Sequence, residues 1–130
     1  MLTAAAASGS EDRLERLLAL GVSPDERGEA GCLHAACRAR AAECVRLLLS
    51  PLGGAAPDKK LDGGATPLLV ACASGAVACA RLLLDAGASA TLAADDGASP
   101  LFSAILLAPP SEAAELVQLL LAARADADVA

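Results

Sequence analysis

Four times along the chain a Leu opens a short apolar run with a small residue three places on: "LTAAAASG" (2–9), "LHAACRAR" (33–40), "LLVACASG" (68–75) and "LFSAILLA" (101–108). The starts step by 31, 35 and 33 residues. Each run is followed by a leucine-rich one: "LERLLALG" (14–21), "VRLLLSPL" (45–52), "ARLLLDAG" (80–87) and "VQLLLAAR" (117–124). Leu18, Leu49, Leu84 and Leu121 lie 16, 16, 16 and 20 residues after their opening Leu, which predicts that they line a common interior. The four extra residues of the last unit fall around "APPSE" (108–112), where two prolines predict a loop that absorbs the insertion. A fixed period of this length marks a stacked repeat.

The third unit shows the elements most plainly. Thr66 is placed to cap a helix with its hydroxyl, Pro67 stands at the first helical position, and Gly75 is placed to end it in the left-handed conformation. A second helix over about residues 77–86 carries Val77, Ala80, Leu83 and Leu84 at helical spacing, with Gly87 closing it. Between units, "SPDERGEAG" (23–31) and "ADDGAS" (94–99) have the Asp, Gly and Pro content of turns. Helices of two or three turns are marginal alone, so each pair must hide its leucines against the next, at roughly 1.5 to 3 kcal/mol per buried Leu.

Composition supports helices over strands. The 130 residues suit one domain, and 55% are apolar, yet there is one Phe and no Trp or Tyr. The core is therefore built from Ala, Leu, Val and Cys, and the aromatic residues that strands favour are missing. A net charge of −6, with Lys59 and Lys60 the one adjacent basic pair, argues against nucleic-acid binding, and a single Phe offers no stacking platform. Ser8, Ser10, Glu11 and Asp12 interrupt any secretory signal. Residues 63–80 are uncharged for 18 positions, close to a membrane span, but they are mostly Ala, Gly, Ser and Cys and are broken by Pro67 and Gly75. No membrane insertion is expected, and the location expected is cytoplasmic, or else nuclear.

The stretch "DGGATPLLVACASG…LLLDAGASA" (62–90) resembles an ankyrin repeat, a unit of about 33 residues with a β-turn, a Thr-Pro-Leu-His signature and two antiparallel helices. The signature stands as Thr66-Pro67-Leu68-Leu69 in the third unit, Ser99-Pro100-Leu101-Phe102 in the fourth, and only Leu33-His34 in the second. The resemblance covers nearly the whole chain. It implies an all-α ankyrin-repeat solenoid of about four helix-turn-helix units joined by β-turn loops, in a single domain 1–130 with units at about 1–25, 26–58, 59–93 and 94–130. Departures from the pattern carry their own expectations. Gly31 and Cys32 replace Thr-Pro, and Arg40 replaces the helix-ending Gly, so the first helix of the second unit should be less sharply capped. The long exit at 50–64 replaces a tidy hairpin with a flexible loop. The first unit lacks its leading turn, and "LLLAARADADVA" resembles the lead-in to another repeat rather than a polar cap. A monomer is expected unless further repeats or self-association cover that apolar C-terminal face.

Five cysteines raise metal and redox chemistry, with Cys32, His34, Cys37 and Cys44 as a conceivable zinc set. The period answers this: Cys37 and Cys72 share one slot of the first helix, and Cys44 and Cys79 share an apolar slot of the second. Buried reduced thiols are expected, and no metal or cofactor. His34 is the one histidine, without a neighbouring nucleophile motif, so no enzyme is expected. The resemblance implies a structural His bonded to the backbone of the adjoining turn. Gly53-Gly54 and Gly63-Gly64 lack the spacing and the Lys of a phosphate loop.

What remains is recognition of another protein. Asp25, Glu26, Glu29, Asp62, Asp95 and Asp96 fall in the inter-unit turns, either as solvated surface or as an acidic strip for a basic segment. In ankyrin proteins the turn tips and the outward positions of the first helices form a concave recognition face. Carried onto this chain, the resemblance implies a partner-binding set of Arg27, Arg38, Asp62, Ser74, Asp95, Asp96, Leu106 and Leu107. The Leu106-Leu107 pair reads either as an exposed anchor or as packing beneath the "APPSE" loop. The expected function is a non-catalytic protein-interaction module. The alternative is a structural spacer within a larger ankyrin-repeat protein.

Overall fold

In the computed structural model the described residues are 5–6, 8–21, 31–50, 57–58, 64–90 and 93–129, with side chains of the last helix as far as residue 123. Among them are seven helices: α1 (Glu11–Ala19), α2 (Cys32–Arg38), α3 (Ala42–Leu49), α4 (Pro67–Ser74), α5 (Val77–Asp85), α6 (Pro100–Leu107) and α7 (Pro110–Val129). These residues include no strand. The fold is an all-α solenoid of two rows. α2, α4 and α6 pack side by side in one row, α1, α3, α5 and α7 in the other, and each first-row helix packs on the second-row helix that follows it. Ala5 and Ala6, helical and fully buried, precede α1 in the place of a first-row helix.

The third pair forms as its residues predict. The Leu69 N–H donates to Thr66 Oγ1 at 3.2 Å, Pro67 opens α4, and Gly75 ends it at φ 73°. Ser99 repeats the device on α6, accepting from the Phe102 N–H at 3.2 Å. Gly75 is required twice over, because a Cβ there would lie 2.6 Å from Pro109 Cδ as well as straining the backbone. The second helix runs Val77–Asp85, with Gly87 left-handed beyond it at φ 97°.

Three expectations are corrected. The end of α2 is not loosened by Arg40, which takes the left-handed conformation itself at φ 59°. Ala41 N–H donates to Ala36 O at 2.9 Å, as Ala76 N–H does to Ala71 O at 2.9 Å. In the first unit Leu17 and Leu18 are both buried, but from the second unit on the leucine interior is shifted by one residue: Leu48, Leu83 and Leu120 are buried, while Leu49 and Leu84 pack partly buried against the core and Leu121 is half-exposed. The insertion near 108–112 lengthens a helix rather than a loop. Only Ala108 and Pro109 separate α6 from α7, and Pro110, whose missing N–H costs nothing at a helix start, opens a helix of 20 residues.

Of the long exit at 50–64, residues 51–56 and 59–63 lie outside the described residues, as do 22–30 of the first inter-unit turn. Asp58 stands back in register, its carboxylate accepting from the Ser89 N–H, 31 residues on, at 3.0 and 3.3 Å. The turn before α6 closes through Ala94 N–H to Ala98 O at 2.9 Å. Among the described residues no helix is long and apolar enough to cross a membrane.

Candidate partner-binding face

The first-row helices carry the predicted set at their two ends. Arg38 is the last residue of α2 and is exposed; Ser74 is the last of α4 and is half-buried; Leu106 and Leu107 are the last two of α6. In this stacked row, Arg38, Ala73 and Leu106 occupy one slot, and Ala39, Ser74 and Leu107 the next. Leu106 and Leu107 are 62% and 63% exposed, so the segment at 108–112 does not cover them. Asp95 and Asp96 are exposed in the turn that precedes α6, beyond the other end of a helix about 12 Å long. Arg27 and Asp62 lie outside the described residues. The predicted residues thus fall into two clusters, an apolar end with Arg38 and Ser74 and an acidic tip.

The tip is held by local chemistry. Asp96 Oδ1 accepts from the Ala98 N–H at 3.0 Å, so this side chain shapes its own turn. Asp95 lies against bare backbone of the preceding turn: a Cβ on Gly64, itself at φ 79°, would come 2.7 Å from Asp95 Oδ1. That close approach joins successive tips into one edge.

Sequence reasoning missed a second constellation, just beyond the C-terminal ends of α2 and α4. The Arg40 guanidinium donates to the Gly75 carbonyl at 2.9 Å and pairs with Glu112 at 3.6 Å. The Ser111 hydroxyl donates to Glu112 at 2.6 Å, and this bond, together with Arg40, holds the Glu112 carboxyl below its usual range. Arg40 therefore bridges three successive pairs. Its signal was present in the sequence as a long donor in the slot that holds Gly75 one unit later.

His34 is buried, and its Nε2 lies 2.8 Å from Ala65 O. A carbonyl only accepts, so Nε2 carries the proton and the ring pins the adjoining turn. All five cysteines are buried and unbridged. Burial pushes the Cys72 thiol up to about 12. A hydrogen bond with Cys79 and burial push Cys37 well above its ordinary value, so the Cys37 and Cys72 thiols stay protonated and poorly nucleophilic at neutral pH, while the same hydrogen bond lowers Cys79. Among the described residues no group of three His, Cys, Asp or Glu side chains is placed to hold a metal ion.

The paired helices, the Thr-Pro and Ser-Pro caps, and the buried histidine bonded to the next turn meet an independent finding: the family model for "Ankyrin repeats (3 copies)" matches residues 2–94 and again 33–130. The chain belongs to the ankyrin-repeat family. It is 38% identical over 96 residues to the human ankyrin repeat and SOCS box protein 16, spanning 73% of this chain and 21% of that protein. The crystal structure of the human ASB11 ankyrin repeat domain superposes with a TM-score of 0.79 at 36% identity, covering 93% of this chain and 52% of that one. This ankyrin-repeat chain thus spans about a fifth of the curated relative's length and about half of the solved domain's.

Proposed function

We propose that this ankyrin-repeat chain is a non-catalytic protein-interaction module that holds a partner protein on the concave face of the solenoid. Ankyrin repeats in general are protein-interaction modules, which supports the coarse reading. The observation that carries the finer one is the Leu106-Leu107 pair. The same slots hold Ala73 and Ser74 one pair earlier, half-buried, and Arg38 and Ala39 two pairs earlier, where both are exposed although the next pair already packs on α2. These slots stay at least partly open even where a following pair packs, and filling them with two leucines makes an apolar anchor of the kind that dominates binding energy. Arg38, Ser74 and the tip residues Asp95 and Asp96, joined by Arg27 and Asp62, form the polar surround that sets orientation and association rate. The buried, unbridged thiols favour a reducing compartment, cytoplasmic or nuclear.

The test is affinity capture with the wild-type chain beside an Arg38→Glu/Leu106→Asp bait. The double variant is expected to lose the captured protein while its Tm stays within a few degrees, because both side chains are exposed. Equal loss of stability and capture would remove these residues from the site. An Arg81→Glu bait, altered on exposed α5, should capture as the wild type does.

A second reading, a spacer within a larger ankyrin-repeat protein whose activity resides elsewhere, is favoured by the share of its relatives' length that the chain spans. It predicts that the Arg38→Glu/Leu106→Asp change leaves every captured protein in place.

A further inference from the structure

Two of the buried cysteines meet across the boundary between helix pairs. Cys37, near the end of α2 in the second pair, and Cys79, in the first turn of α5 in the third, are hydrogen-bonded thiol to thiol. Cys72 differs, because burial alone accounts for its raised value. The two bonded thiols are also unlike each other. Cys79 is the third residue of α5, where the free N–H groups of the helix end favour negative charge. With Arg40, Gly75 and Glu112 it lines a groove of about 360 Å³ between α5 and α7. The bond from Cys37, assisted by the Arg40 charge, pulls the Cys79 thiol below its ordinary value against the opposing effect of burial. Cys37 is fully buried and keeps its proton. One sulfur is thus set up to attack, and its neighbour to resolve what that attack leaves.

We propose that Cys37 and Cys79 are a peroxide-responsive dithiol, whose reversible disulfide clasps the second helix pair to the third. When this edge of the stack opens, the Cys79 thiolate attacks one oxygen of a hydroperoxide and the O–O bond breaks. The departing oxygen takes up a proton and leaves as water or an alcohol, and Cys79 is left as a sulfenic acid. The hydrogen bond that held the Cys37 proton was made to the Cys79 sulfur, so oxidation of that sulfur ends it. Cys37 Sγ then gives up its proton and attacks Cys79 Sγ; the S–O bond breaks, and hydroxide leaves with that proton as water. Two thiols have lost two electrons, and the peroxide has gained them. A dithiol or glutathione pool reverses the bridge by exchange, so a transient clasp suits a reducing compartment. The bridge spans the long exit at 50–64 and makes openings between the two central pairs rarer. It does so whether or not the concave face holds a partner.

Treating the reduced, native chain with hydrogen peroxide, followed by alkylation in denaturant and mass spectrometry, tests it. The expected result is the loss of two alkylatable thiols, with tryptic peptides 28–38 and 61–81 joined and fragmentation placing the link at Cys37 and Cys79. Dithiothreitol should restore all five thiols. Cys44→Ala and Cys72→Ala should keep the bridge, and Arg40→Gly should form it several-fold more slowly. Cys37→Ala should leave a sulfenic acid at Cys79 that dimedone traps. Oxidation in urea should scramble the pairing, which separates a bridge built by the fold from one built by chance. Once the bridge is closed, alkylation of Cys72 in native buffer should slow by at least about tenfold. Five free thiols after peroxide, a native bridge through Cys32, Cys44 or Cys72, the same mixture with and without urea, or alkylation of Cys72 indifferent to the bridge would each overturn the proposal.

Discussion

Arg40 holds a backbone conformation that costs a residue with a Cβ roughly 1 to 2 kcal/mol, and it holds it where the repeat elsewhere uses Gly75. Its half-exposed guanidinium returns about 1 kcal/mol through the Gly75 carbonyl. Replacing it separates the two effects. Arg40→Gly relieves the backbone while losing the bond, so urea unfolding should place it within about 0.5 kcal/mol of wild type, whereas Arg40→Ala keeps the strain and falls by about 1 kcal/mol. The sequence showed the missing Gly but not the compensation, because the partner carbonyl lies 35 residues away and only the stack brings it near. A second effect at this scale concerns pH. Burial raises Cys72 from 9.0 to about 12, so between those values the unfolded chain loses a proton that the folded chain keeps. Stability from this thiol is complete below pH 9 and declines as pH rises, by about 1.4 kcal/mol per unit. Thermal melts from pH 8 to pH 10.5 should show a falling Tm, and Cys72→Ala should flatten that fall.

At the level of helices, caps were legible and registers were not. Thr66 and Ser99 each announce a helix start because a hydroxyl before Pro has one use there, and both accept the expected N–H. Thr66→Ala should cost about 1 kcal/mol in denaturant unfolding, and Ser99→Ala less, since water reaches its exposed cap in place of the hydroxyl. The second row was harder to read. A Leu-Leu-Leu triplet offers three equal candidates for the interior, and composition cannot say which points inward; the column at Leu83 and Leu120 was chosen by how the helices lie on each other. The "APPSE" segment misled for a different reason. Proline breaks a helix from within but suits its first turn, and a four-residue insertion is close to one helical turn, so α7 absorbs it without turning its apolar side away from α5.

The whole molecule behaves as a row in which each pair has only its neighbours for support. Leu83 is enclosed on both flanks and Leu120 on one, so Leu83→Ala should cost about 2 to 5 kcal/mol of global stability. Leu120→Ala should instead loosen the last pair alone, and native-state hydrogen exchange would record it as early loss of protection in α6 and α7. The period and the signature were enough to foresee the solenoid. They did not show that Phe102 is half-exposed, because its counterpart Leu69 is buried and only the stack tells the two slots apart. The cysteines follow the same geography. They belong solely to α2, α3, α4 and α5, and all are sealed from water. An alkylating reagent added to the native protein therefore finds a target only when the middle of the row breathes, and its mass increments time central openings while remaining blind to fraying at either tip.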